Sequence, residues 1–283
     1  MQYRELRLGA PLDALVECAW VLETGAADLR ASDQRILPDG CVELIVHCGE
    51  RFLATAADGQ LYRQPAAFVA GMLTRPLVVH PVAGAHSIGV RFRPGCAYRF
   101  IRTALSELTD RVVDLHDLWG RRAHALTARI AAACDDETRI EILTHELLAR
   151  LADREPDAVT AFAVDALIAS GGRASVAEIA VGANVTPRAL QRRFTQRVGV
   201  GAKTLARVLR FQNSLRVRER CAAGRPDWAW IAAECGYADQ SHLIRDYAAY
   251  ASDTLASLGA NEGWLSAYFT DPQRLDALFA GRR

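Results

Sequence analysis

The rhythm of hydrophobic positions changes near residue 104. Before it, short runs of Val, Ile and Phe are broken by turn residues: 41–47 after Pro38-Asp39-Gly40, 68–69 before Gly71, 77–80 before Pro81, and 87–92 before Pro94-Gly95. Runs this short, bounded by Gly and Pro, predict strands. Several at this spacing predict a small antiparallel barrel or sandwich over residues 1–104. Residues 11–21 fit a helix or a strand equally well. Beyond Ala104 the apolar residues recur at i, i+3, i+4, as in Leu115, Leu118 and Trp119, then Ile140, Leu143 and Leu147. That spacing predicts a helical connector over 105–155. Pro156 disfavours helix in the residue before it and marks a boundary.

Helix signals then come close together. Ser175-Val-Ala-Glu178 has the form of a capping box, and Ile179-Ala180 follow as the inward pair of a short helix. Gly182-Ala-Asn184 supplies a turn, Thr186 an N-cap and Pro187 the first position of a second helix. In that helix Leu190 and Phe194 face inward, while Arg188, Gln191, Arg192 and Thr195 fall on the other side. An isolated helix with such a face is ordinarily just solvated. Here the pattern repeats about fifty residues on: Ile231-Ala232 stand for Ile179-Ala180, Leu243 for Leu190, Tyr247 for Phe194. Asp239 caps the second such helix, whose outward residues are Gln240, Ser241, His242 and Arg245. Between the repeats a basic helix is predicted over 201–222, carrying Lys203, Arg207, Arg210, Arg216, Arg218 and Arg220. Arg and Gln side chains suit guanine and adenine edges in a major groove, and basic residues between them suit phosphates.

The segment Gly236-Tyr237-Ala-Asp239-Gln240-Ser241-His242-Leu243, followed by Arg245-Asp246-Tyr247, resembles the AraC/XylS family of transcription regulators. The resemblance implies a double helix-turn-helix domain over 156–262, with a tail at 263–283. It also implies base-reading positions at Arg188, Gln191 and Arg192 in the first unit and at Ser241, His242 and Arg245 in the second, Gln240 standing at the entrance. Duplex DNA, RNA polymerase and a second copy of the chain are the partners it implies. Two features depart from the family: Gly201-Ala202 and Asp253-Thr254 stand where a proline is usual. The segments 36–45, 71–75 and 88–95 resemble an uncharacterised β-rich sensor domain found before such modules, with no known ligand.

Charge sharpens the division. Residues 173–258 hold 13 Lys and Arg against 7 Asp and Glu, a net of +6 in a chain of net +1, so the remainder carries −5. A basic reader joined to an acidic partner fits the pattern, although charge alone also fits an ordinary fluctuation. A charged amino terminus without an apolar run following it, and the lack of any long apolar stretch, predict a protein of the cytoplasm that spans no membrane. Seven cysteines without a Cys-x-x-Cys pair suit reduced thiols. Nothing in the pattern implies a cofactor, a metal or a catalytic residue. The fold class is thus α+β, a β-rich half before an all-α double helix-turn-helix.

Candidate effector ligands in the first half are Asp39, Glu43, Arg75, Arg91 and Arg93, all near strand ends, where they could line a polar pocket. Surface pairing explains the same residues without a ligand. Cys41, His47 and Cys48 invite a metal or thiol sensor but lack tight ligand spacing. His80 and His86 could face one another across a hairpin. Two other functions compete with a regulator. One is a DNA-targeted enzyme with a reactive cysteine, Cys96 being the candidate because it follows Arg93-Pro-Gly. The other is a partner-binding protein that does not bind DNA.

Overall fold

A computed structural model describes residues 2–25, 33–56, 58–151, 155–220, 226–252, 268 and 271–279. The predicted antiparallel β half is there, but as two open sheets rather than a closed barrel. One sheet has six strands: β1 (Gln2–Leu6), β2 (Val16–Glu23), β4 (Val42–His47), β7 (Ala67–Ala70), β9 (His86–Phe92) and β10 (Val112–Asp114), in the order β1-β2-β9-β4-β7-β10. The other has four: β3 (Gln34–Ile36), β5 (Leu53–Thr55), β6 (Leu61–Arg63) and β8 (Leu77–His80), in the order β3-β8-β5-β6. Three of the four strands in the smaller sheet have only three residues, too few to carry a ladder around to the larger one. Residues 11–21 resolve into a short 3-10 turn, Leu12–Ala14, leading into β2. Strand β10 lies in the stretch read as connector and pairs with β7.

Alternation along the central strands decides which side chains meet. Val42, Leu44 and Val46 of β4, with Ile88, Val90 and Phe92 of β9, enter the main core. That core also takes Leu115, Trp119, Leu126, Ile130, Leu143 and Leu147 from the helices α1 (Leu115–Trp119), α2 (Arg121–Ala132) and α3 (Asp136–Leu151). The alternate residues, Glu43, Ile45 and His47 with Ser87, Gly89 and Arg91, point toward the smaller sheet. Gly89 sits beside Trp20, where a Cβ would lie 2.2 Å from the indole, so only glycine leaves that ring room.

The C-terminal half is helical throughout its described residues: α4 (Ala158–Ala169), α5 (Val176–Gly182), α6 (Pro187–Arg197), α7 (Ala202–Arg220), α8 (Trp228–Glu234), α9 (Gln240–Ala251) and α10 (Pro272–Phe279). The two halves share one continuous core. Gln212 of α7, fully buried, donates from Nε2 to the Pro38 carbonyl at 2.7 Å, and Thr109 Oγ1 donates to the Gly199 carbonyl at 2.8 Å. The Asp157 amide donates to Tyr98 Oη at 2.7 Å. No helix among the described residues is long and apolar enough to cross a membrane.

Candidate functional site

The first helix pair is built as its caps dictate. Ser175 accepts from the Glu178 amide, starting α5, and Thr186 accepts from the Ala189 amide at 3.2 Å, starting α6 behind Pro187. Asn184 takes a left-handed φ of 53° in the turn between them. Ile179, Ala180, Leu190 and Phe194 are buried, so Thr186, Arg188, Gln191 and Arg192 face solvent and Thr195 is half-buried. The Gln191 amide folds back onto the start of α7: a Cβ on Gly201 would lie 2.6 Å from its Nε2. Gly201 therefore leaves a berth for Gln191.

The second pair repeats the plan. Asp227 caps α8, and Asp239 caps α9 by accepting from the His242 amide at 2.7 Å. Leu243 and Tyr247 are buried; Gln240, Ser241 and Arg245 are exposed, and His242 is half-buried with its ring edge-on to Tyr237. The family's second departure, Asp253-Thr254, lies outside the described residues, as do the predicted last turn of α7 and most of the tail.

Helix α7 corrects an expectation. Most of its basic residues are already engaged within the protein. Arg207 holds Asp246 of α9 at 2.6 Å, Arg210 donates to the Gly172 carbonyl at 3.1 Å, Arg216 lies over Phe279, and Arg220 pairs with Asp276. The sequence could not show these pairings because each partner sits on a distant element. Lys203 is exposed. Asp157, taken only as part of a boundary, is a hub: it caps α4 and receives both Arg193 and Arg197 from α6.

Between the two sheets lies a cavity of about 60 Å³, roughly two waters' worth of space. Apolar side chains such as Trp20, Leu22, Ile45 and Phe52 form much of its wall; Glu43, His47, Ser87 and Arg91 come from alternate positions of β4 and β9, and Tyr3, Gln64 and Tyr268 from elsewhere. Arg91, 2% exposed, donates from Nε to Glu43 at 2.7 Å and from Nη1 to Tyr268 Oη at 2.6 Å. Tyr268 in turn donates to Glu5. His47 Nδ1 lies 2.8 Å from Ser87 Oγ and its Nε2 3.2 Å from Gln64 Oε1. Burial pushes the His47 pKa down to about 4. Burial pushes the Glu43 carboxyl up, against the pull of Arg91. Asp39 is buried as well; it accepts from the Cys41 amide at 2.9 Å and binds Arg274 of α10.

Of the five candidate effector residues, Asp39, Glu43 and Arg91 therefore come together. Arg93 lies on an adjoining open cleft with Glu17, Cys18 and Arg274, its Nε donating to the Asp13 carbonyl at 3.1 Å. Arg75 stands apart, exposed in a separate groove with Tyr62 and Asp110. Tyr268, Arg274, Glu5 and Glu17 were missed. The apolar spacing of Leu275, Leu278 and Phe279 was the available signal for α10. Cys41, His47 and Cys48 form no cluster: Cys41 approaches Glu17, and Cys48 a backbone carbonyl. His80 and His86 belong to different sheets and bond Asp33 and Asp136 instead of facing one another. Glu23, His86 and Asp136 bring ligand atoms within 4.8 Å of each other, but Arg4 and Arg139 already hold Asp136. Cys96 is 2% exposed, so it lacks the accessibility that a reactive nucleophile needs.

Two capped helix pairs with matching buried and exposed faces define a DNA-binding transcription regulator of the helix-turn-helix class. Residues 179–258 match the family described as a helix-turn-helix domain. Residues 6–114 match a domain of unknown function, DUF6597, ending where β10 ends. No curated protein matches the chain. Among solved structures, the chain is similar to unsaturated fatty acid bound wild-type ToxT from Vibrio cholerae strain SCE256, at 13% identity over 78% of this chain and 87% of that one, TM-score 0.40. It is also similar to ToxT from Vibrio cholerae O395 bound to a methylnaphthalenyl butenoic acid, at 9% identity over 98% and 100%, TM-score 0.44. The AraC-like transcriptional activator CuxR follows at 18% identity over 77% and 79%, TM-score 0.27. These likenesses are too distant to assign a role to any residue.

Proposed function

We propose that the chain is a sequence-specific transcription regulator whose helices α6 and α9 enter successive major grooves of one duplex, and whose β-sheet half senses a small molecule. The observation that carries this reading is the pair of exposed polar faces, Arg188, Gln191 and Arg192 on one helix and Gln240, Ser241 and Arg245 on the other. The 19 residues of α7 that separate the two units span roughly 28 Å at about 1.5 Å per residue. That is close to the roughly 34 Å between successive grooves on one face of DNA. His242 and Thr195, half-buried beside these faces, contribute at their edges, and Thr186 sets the entry of α6.

In this reading Asp39, Glu43 and Arg91 are the effector-binding residues, with Arg93 at the neighbouring cleft; Arg75 stands outside the site. The protein acts in the cytoplasm without a catalytic step, and RNA polymerase and a second copy of the chain are its partners by resemblance. Arg192→Ala and Arg245→Ala are each expected to cost about 1–3 kcal/mol at a specific site, with a smaller effect on random DNA. Footprints of both variants at undiminished affinity on a site selected with the wild-type chain would reject these recognition helices.

A further inference from the structure

The cavity between the sheets is walled on one side by Tyr268, from the far end of the chain. Tyr268 lies on both the inter-sheet cavity and the open cleft beside it, so it forms the partition between them. Behind it, Arg274 is 7% exposed and binds Asp39, its Nε standing 4.0 Å from Glu17. Its guanidinium lies 5.3 Å from the Tyr268 ring. Glu17 is available for this contact because β2 slips register between Val16 and Cys18, bulging the residue between them toward the tail.

The charge balance around this point is uneven. Glu5, Glu17, Asp39 and Glu43 face Arg91 and Arg274. Take the tail's arginine away and four carboxylates face one buried guanidinium, with Arg7 and Arg93 on the outer cleft. Burial pushes the Glu43 carboxyl up even though Arg91 and Arg274 pull it down. The sheets thus present a shaped, acid-rich recess, and the chain fills it with its own aromatic ring and planar cation.

We propose that this recess is a receptor for a small guanidinium compound on a short apolar body, and that Tyr268 and Arg274 are its tethered occupant, displaced when the compound binds. The proposal rests on the reading of the β-sheet half as a sensor. A guanidinium fits better than an ammonium because its planar fork can serve Asp39 and Glu17 together. Displacement would reach the DNA-binding half directly. Helix α10 is clamped to the end of α7 by the pair Arg220–Asp276 and by Arg216 over Phe279, so freeing Arg274 loosens the far end of the helix that spaces the two recognition units.

A tethered occupant competes at high effective concentration, so the free compound binds the intact chain weakly in proportion to the fraction of time the recess is open. The test titrates full-length wild type and Arg274→Ala with propylguanidinium, and with butyrate as the anionic probe, by calorimetry. Arg274→Ala is expected to bind propylguanidinium at least roughly tenfold more tightly than wild type. Adding Asp39→Asn should abolish the binding, and Arg274→Lys should fall between wild type and the alanine variant. Saturating probe should also speed proteolytic cleavage of the wild-type tail.

Equal affinity in wild type and Arg274→Ala, binding that survives Asp39→Asn, or a tail that stays protected at saturation overturns the proposal. Should Arg274→Ala fail to fold, Arg274→Lys against wild type decides by the same ordering. Binding of butyrate instead, lost in Arg91→Leu, sinks the guanidinium proposal but leaves a sensing cavity. Binding of neither probe, with an intact DNA footprint, removes both while the regulator stands.

Discussion

Asp246 has no exposed surface; one of its carboxylate oxygens is held by Arg207 and the other has no hydrogen-bond partner among the described residues. A buried carboxylate stripped of its cation is costly, whereas the Arg207 side chain itself is 43% exposed and partly screened. Arg207→Ala is therefore expected to destabilise the chain by about 1–2 kcal/mol, below the usual figure for a fully buried pair, as read by urea unfolding. Arg207→Ala combined with Asp246→Leu should recover most of that loss, because the orphaned charge is gone. A double variant no more stable than the single one would mean that the pair acts through packing alone. The same residues show where sequence reading stops. Arg207 and Asp246 are legible as members of a basic helix and a recognition motif, but their pairing across 39 positions is a product of the fold. Read singly, the arginines of α7 look like phosphate contacts, and only tertiary packing shows how many are already committed.

Elements whose signals are local were readable. The caps Ser175, Thr186 and Asp239 accept from the helix amides as the sequence implied, and Leu190 and Phe194, Leu243 and Tyr247 turn inward. Capping and helical spacing are fixed within a few residues, so no distant partner is needed to foresee them. Strand order is different, since β9 lies between β2 and β4 only through pairings with no trace in local pattern. The polar positions inside those strands are the clearest case. Glu43 and Arg91 read either as pocket-lining residues or as surface pairs, and with His47 and Ser87 they look onto a second sheet. His47 gives that burial a measurable sign. The folded chain holds the ring neutral, with a pKa of about 4 against an ordinary 6.5. Between those values the unfolded chain binds a proton that the folded chain refuses. Stability should therefore fall as pH drops from about 6.5 to about 4, by roughly 3 kcal/mol, and level off below. His47→Gln is expected to lower stability at neutral pH while flattening this slope. An identical slope in the variant would place the acid sensitivity elsewhere.

At the scale of the whole molecule, the turn Pro38-Asp39-Gly40 is where the two halves meet. The Pro38 carbonyl accepts from buried Gln212, Asp39 binds Arg274, and Gly40 lies against Leu205. Three consecutive residues thus touch α7 twice and α10 once, so a shift of this turn bears directly on the helix that joins the two helix pairs. From sequence this was a turn carrying one candidate effector residue, Asp39; its contacts with α7 and α10 were not legible, because those partners lie more than 160 residues away. Gly40 makes the coupling testable. Its φ of 87° is one that side-chain-bearing residues rarely adopt, and a Cβ there would stand 3.1 Å from Leu205 Cδ1. Gly40→Ala should cost about 1–3 kcal/mol for the backbone alone, and the added methyl must also push on α7. Strain confined to the turn would leave hydrogen exchange in α7 unchanged apart from the global loss. If the turn is the mechanical joint, the amides of α7 around Leu205 and Gln212 lose protection more than those of β4 and β9, which flank the turn on its other side. The second outcome is expected, because both packing contacts of the turn fall on the same face of α7, and uniform loss across α7 and the sheet would show instead that the two halves respond as a single unit with no joint at residues 38–40.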